Sequence, residues 1–84
     1  MIAHDEVWGV ALWRCREFFA SQKDVETLNE NRFRYGDCVI ELIPLPDRRM
    51  GSLVFPNTRL TFSDGACTEK IYRRFYLRFL SAGG

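Results

Sequence analysis

Several kinds of chemistry are missing from this 84-residue chain. It has a single histidine, His4, and three cysteines, Cys15, Cys38 and Cys67, too far apart to form a Cys-x-x-Cys pair. With no second ligand type nearby except His4, spacing supports neither a zinc site nor a disulfide framework, and no metal is expected. An odd number of thiols fits a reducing compartment, where cysteine serves as a small apolar core residue. There is no phosphate-cradling glycine loop, no Gly-x-Ser-x-Gly and no His-Glu-x-x-His, so no catalytic residue and no cofactor is assigned. His4 stands beside Asp5 near the start of the chain, where a general base is poorly held. Long apolar runs are absent too, and Met1-Ile2-Ala3-His4-Asp5-Glu6 lacks the basic and apolar regions of a secretion signal. The expectation is a cytoplasmic protein without a membrane partner. Repeats, low-complexity tracts and linkers are also missing, so residues 1–84 read as one domain.

Core material is plentiful. Hydrophobic residues make up 46% and aromatics 14% of the chain, more than a disordered, charge-rich sequence carries. A chain this short still buries a modest share of its surface and gains from a partner. The net charge is only +1, but it is unevenly placed. Residues 1–31 hold six acids against three bases, and residues 48–84 hold seven bases against two acids.

Apolar spacing predicts the elements. From Asp5 to Ala20, Val7, Trp8, Ala11, Leu12, Cys15, Phe18 and Phe19 recur at three- and four-residue intervals, which predicts a helix with Asp5 and Glu6 in its first turn. Residues 21–29 read as a loop with one turn, or as a short helical turn capped by Asp24. Arg32 to Leu42 alternates around Gly36-Asp37, the signature of a two-residue hairpin. Folding there pairs Tyr35 with Cys38 and Phe33 with Ile40 on an apolar face, and Arg34 with Val39 and Arg32 with Glu41 on the other. Pro44 and Pro46 end the strand, and a turn follows from Asp47 to Gly51. Ser52–Phe55 and Thr58–Ser63 read as two more strands, with Leu60 and Phe62 inward. Ala66 to Leu80 returns to helical spacing through Ile71, Tyr72, Phe75, Tyr76 and Phe79. The predicted fold is therefore α+β: a small two-layer domain with an N-terminal helix, a three- or four-stranded antiparallel meander and a C-terminal helix, both helices on one sheet face.

Three features stand above this background. In the first predicted helix Trp13 projects away from the apolar face, toward the side holding Glu6, Gly9, Arg16 and Glu17. Gly9, one turn earlier, costs roughly 1 kcal/mol against alanine inside a helix and would admit close approach by another chain. Trp13, Gly9, Arg16 and Glu17 are thus interface candidates, unless the 21–31 segment folds over Trp13. In the last helix Lys70, Arg74 and Arg78 form a stripe with Arg73 beside it, a basic patch that Arg48 and Arg49 could extend. It is either a solvated face or a docking surface for phosphate or acidic protein. Lastly, the chain ends in Gly83-Gly84, resembling the diglycine of ubiquitin-like sulfur carriers and modifiers. Those tails follow a strand, and here a helix precedes, so the pair reads as a helix stop.

These features point to a small non-enzymatic accessory or adaptor domain that binds a protein partner or a second copy of itself. The alternative is a nucleic-acid or phosphate-ligand binding module that uses the basic face of the C-terminal helix, although a net charge near zero argues against it.

Overall fold

The computed structural model describes residues 1–80. The Gly83-Gly84 helix stop lies outside the described residues. The element order is β1 (Ile2–Trp8), α1 (Leu12–Ser21), β2 (Glu26–Asn29), β3 (Arg32–Tyr35), β4 (Cys38–Pro44), β5 (Arg48–Met50), β6 (Leu53–Phe55), β7 (Thr58–Ser63) and α2 (Thr68–Phe79). An antiparallel five-stranded sheet runs β1-β7-β4-β3-β2, and β5 and β6 form a separate two-stranded sheet. The α+β class read from the sequence is thus the class of the molecule.

The Gly36-Asp37 hairpin has the register its alternation predicts: Tyr35 opposite Cys38, Phe33 opposite Ile40, Arg34 opposite Val39 and Arg32 opposite Glu41. Phe33, Ile40 and Leu42 are buried, while Arg32 and Glu41 form an ion pair on the open side. Leu60 and Phe62 continue the inner face on the neighbouring strand β7. Phe19 of α1 meets Phe33 and Phe62 of that face, and Phe75 of α2 meets Phe62 and stacks on Phe19. An aromatic cluster between the helices and the sheet therefore forms the centre of the core.

The first predicted helix is corrected. Residues 2–8 are an edge strand, and helix begins only at Leu12. His4, Glu6 and Trp8 share a face with Phe62, Leu60 and Thr58 opposite them, while Asp5 and Val7 point to the other side. The two-residue period was obscured because two of the three inward positions are polar. Asp5 is no helix-start carboxylate; it takes a bidentate pair from Arg59 across the strands. Gly9 falls in the β1–α1 connection beside Pro56 and not on a helix turn below Trp13.

Two further corrections concern strand number. The 21–29 segment makes a turn at Lys23-Asp24 and then the edge strand β2, whose four residues are all exposed and so carry no burial pattern. Within the Asp47–Gly51 segment expected to be a turn, Arg48–Met50 forms strand β5 and the turn itself is Gly51-Ser52, so the described strands number five plus two in place of three or four.

One turn holds the layers together. Asp37 accepts hydrogen bonds from the backbone N–H of Ala66 at 2.8 Å and of Cys67 at 3.0 Å, capping the start of α2 from the β3–β4 turn. Gly36 has φ +57, and a Cβ there would lie 2.6 Å from Cys67 Sγ. Backbone conformation and close packing both demand glycine at this position.

Candidate interaction surface

The chain leaves the main sheet at Pro44 and rejoins it at Thr58, opposite each other in the ladder. Between them, among the described residues, β5 and β6 pair only with one another, closed by the two-residue loop Gly51-Ser52 with Gly51 at φ +63. Every residue from Pro46 to Phe55 is exposed. The register sets Arg48 opposite Phe55, Arg49 opposite Val54 and Met50 opposite Leu53. Met50, Leu53 and Phe55 therefore share one face with Arg48, and Val54 shares the other with Arg49. Met50 and Leu53 are each about 60% exposed, at 61% and 59%, and Phe55 is 42% exposed. Soluble domains seldom present adjoining apolar side chains on a structure with no core of its own, and an isolated two-stranded hairpin is marginally stable in water. The molecule measures 42 Å by 23 Å by 21 Å. Sequence reasoning took Ser52–Phe55 as an ordinary strand of the main sheet; the short Met50-Gly51-Ser52-Leu53 turn between Arg48 and Phe55 was the signal that β5 and β6 pair with each other.

The interface candidates from the first helix separate. Trp13 is 63% exposed and, with Glu17, lines a groove of about 290 Å³ between α1 and α2. Arg16 faces elsewhere, donating to the Glu30 carbonyl and to Asn31 Oδ1, both at 2.9 Å. Gly9 is in the loop already described. The 21–31 segment does not cover Trp13.

The basic patch separates too. Arg74 is held in a bidentate pair by Asp24, at 2.9 and 3.0 Å, and its guanidinium lies over the Tyr35 ring. This pairing keeps the Asp24 carboxyl below the usual carboxylate range. Arg78 turns into the α1–α2 groove beside Arg14, both guanidinium groups lying near the Phe79 ring. Arg73 lines a second shallow groove with Glu69, Tyr72, Tyr76 and Leu77, and Lys70 is exposed. Arg48 and Arg49 stand on the hairpin arm, a different element from α2.

His4 is where sequence reasoning missed most. It sits within β1, its ring stacked on Tyr72 at 3.7 Å, with Nε2 2.7 Å from Glu69 and Nδ1 3.9 Å from Glu6. The Tyr72 hydroxyl donates to Glu6, 2.8 Å from each carboxylate oxygen, and the Trp8 indole donates to the same group at 3.0 Å. Burial and the Glu6 charge push Tyr72 up to about 12. Histidine flanked by carboxylates is the stuff of proton transfer, but here both ring edges face carboxylates and one ring face is stacked, so the group ties β1 to α2. Only the His4-x-Glu6 alternation hinted at it.

Cys15 and Cys38 are buried and Cys67 half-buried, all as free thiols. Burial raises the Cys15 thiol to about 11 and also raises Cys38. Among the described residues no group of three His, Cys, Asp or Glu side chains is placed to hold a metal, and no helix is long and apolar enough to cross a membrane. No protein-family model matches the chain, and no curated protein matches it in sequence.

Proposed function

We propose that the protein is a small interaction module and that the β5–β6 arm is its contact element. The observation that carries this reading is the arm's exposed apolar face, Met50, Leu53 and Phe55, on a hairpin that pairs with nothing else among the described residues. A second protein surface covering that face would stabilise both the contact and the hairpin itself. Three unpaired thiols, two of them deep in the core, fit work in a reducing compartment such as the cytoplasm. The nucleic-acid reading is the less favoured of the two, because Arg74, the centre of the basic stripe, is paired with Asp24 and Arg78 lies in the α1–α2 groove.

The test substitutes Leu53→Lys and Phe55→Lys together. Both side chains are exposed, so the fold should survive, with an unchanged circular dichroism spectrum and melting curve. Proteins that co-purify with the wild-type chain from its native cells, the chain itself included, should be lost from the double variant. Equal recovery by both would remove the arm from the contact.

A further inference from the structure

The arm has two edges, and they differ in charge and in what their backbones offer. In a hairpin closed by a two-residue loop, the pair next to the loop, Met50 and Leu53, exchanges both of its backbone hydrogen bonds, as does the pair Arg48 and Phe55 two positions on. The intervening pair, Arg49 and Val54, turns its N–H and C=O groups outward, one residue on each edge. Along the β5 edge the free groups sit between Arg48 and Met50 on a strand with two positive charges. Along the β6 edge they sit within Leu53-Val54-Phe55, with no charge at all. Pro56, lacking an N–H, limits any added ladder to these three residues.

We propose that the partner of this edge is the same edge of a second copy: β6 pairs antiparallel with β6 about a two-fold axis through Val54. This deepens, and rests on, the reading of the arm as a contact element. The register is self-complementary. Val54 faces Val54 of the partner subunit, the two residues exchange both backbone hydrogen bonds, and Leu53 of each copy faces the other's Phe55. The four strands then run β5-β6-β6-β5, with Met50, Leu53 and Phe55 of both copies on one face and the two Arg48 side chains at its margins. The alternative pairing through β5 about Arg49 sets Arg49 directly opposite the same arginine of the second copy, which like-charge repulsion opposes. For the same reason the paired form ends in cationic outer edges that resist a third copy, so assembly closes at two. Three residues a side bury less than the about 800 Å² per partner of a standard interface, so the dimer is weak and concentration-dependent.

Sedimentation equilibrium of the full chain, from micromolar to millimolar, tests this. The wild type should pass from monomer to dimer and no further. Val54→Pro removes the outward N–H without touching the hairpin's own ladder, and should weaken the dimer at least about tenfold. Arg49→Pro makes the matching change on the other edge and should leave the dimer constant within about threefold. Should Val54→Pro disturb the arm itself, Val54→Lys, which places two like charges face to face on the axis, must give the same loss. A wild type that stays monomeric to millimolar concentration overturns the self-pairing, as does equal weakening by Val54→Pro and Arg49→Pro. In that event, a foreign protein still lost from the Leu53→Lys, Phe55→Lys variant would leave the arm a contact element for another partner. Recovery of everything by that variant would remove both readings.

Discussion

Phe19 occupies the crossing point of the aromatic cluster, in ring contact with Phe18, Phe33, Phe62 and Phe75 and with no exposed surface. Phe19→Ala leaves a cavity that four stiff rings cannot close, so it should cost about 3–5 kcal/mol by urea unfolding, enough to unfold a marginal domain of this size. Gly36 fails for a different reason. Gly36→Ala places a Cβ against Cys67 Sγ in a backbone region alanine disfavours, and should cost about 1–3 kcal/mol in the same assay. By contrast, the thiols differ among themselves: Cys67, half-buried, should react with a thiol reagent well before Cys15 and Cys38, whose burial opposes the thiolate. Mass spectrometry of the partly labelled native protein reads the order directly. The sequence pattern placed all three cysteines on apolar faces, and for Cys67 it overstated burial because helix periodicity does not reveal where the first turn meets a neighbouring loop.

At the level of elements, β1 is joined to α2 by the Glu6 carboxylate, which accepts from both Tyr72 and Trp8. Tyr72 holds its proton to about 12 in the folded state against an ordinary value of 10.0, so the folded form keeps a proton that the unfolded chain releases. That contribution is complete below the ordinary value and is lost as pH rises through the folded one. A spectrophotometric titration should show one tyrosine ionising late, and Glu6→Gln should bring it earlier by removing the charge that opposes it. The same link explains what the sequence concealed. Strand β1 could not be seen as a strand because its inward residues are satisfied by α2 partners more than sixty positions away, information no local window holds. Strand β2 and the arm left no trace of burial, since all their residues are exposed. The β3–β4 hairpin and α2 were legible because turn chemistry, alternation and helical spacing all lie within a few residues. Trp13 was correctly read as off the apolar face, yet its supposed neighbour Gly9 belongs to another element, so the patch drawn around them was partly an artefact of the helix starting too early.

For the molecule as a whole, three aspartates fasten separate elements together: Asp5 joins β1 to β7 through Arg59, Asp24 joins the α1–β2 turn to α2 through Arg74, and Asp37 holds the start of α2 from the β3–β4 turn. Arg59, Arg74 and the Ala66 and Cys67 amides hold all three below the ordinary carboxylate range. A group depressed in this way lends its full stabilisation above its unfolded value and loses it as pH falls through the folded one, so stability should decline on the acid side below roughly pH 4. Asp37→Asn should lower stability at neutral pH and flatten that decline, measured as urea midpoints across pH. Two of the three hold α2, so acid should loosen that helix first. The order of the sheet also governs how the molecule is made. Among the described residues strand β1 has β7 as its only neighbour in the ladder, and β7 lies some fifty residues downstream. The hairpin of β3 and β4 can close locally, whereas β1 waits with a bare edge until β7 is available. Pulsed hydrogen exchange during refolding should find the amides of β3 and β4 protected before those of β1, and a chain stopped short of Thr58 would carry strand β1 unpaired.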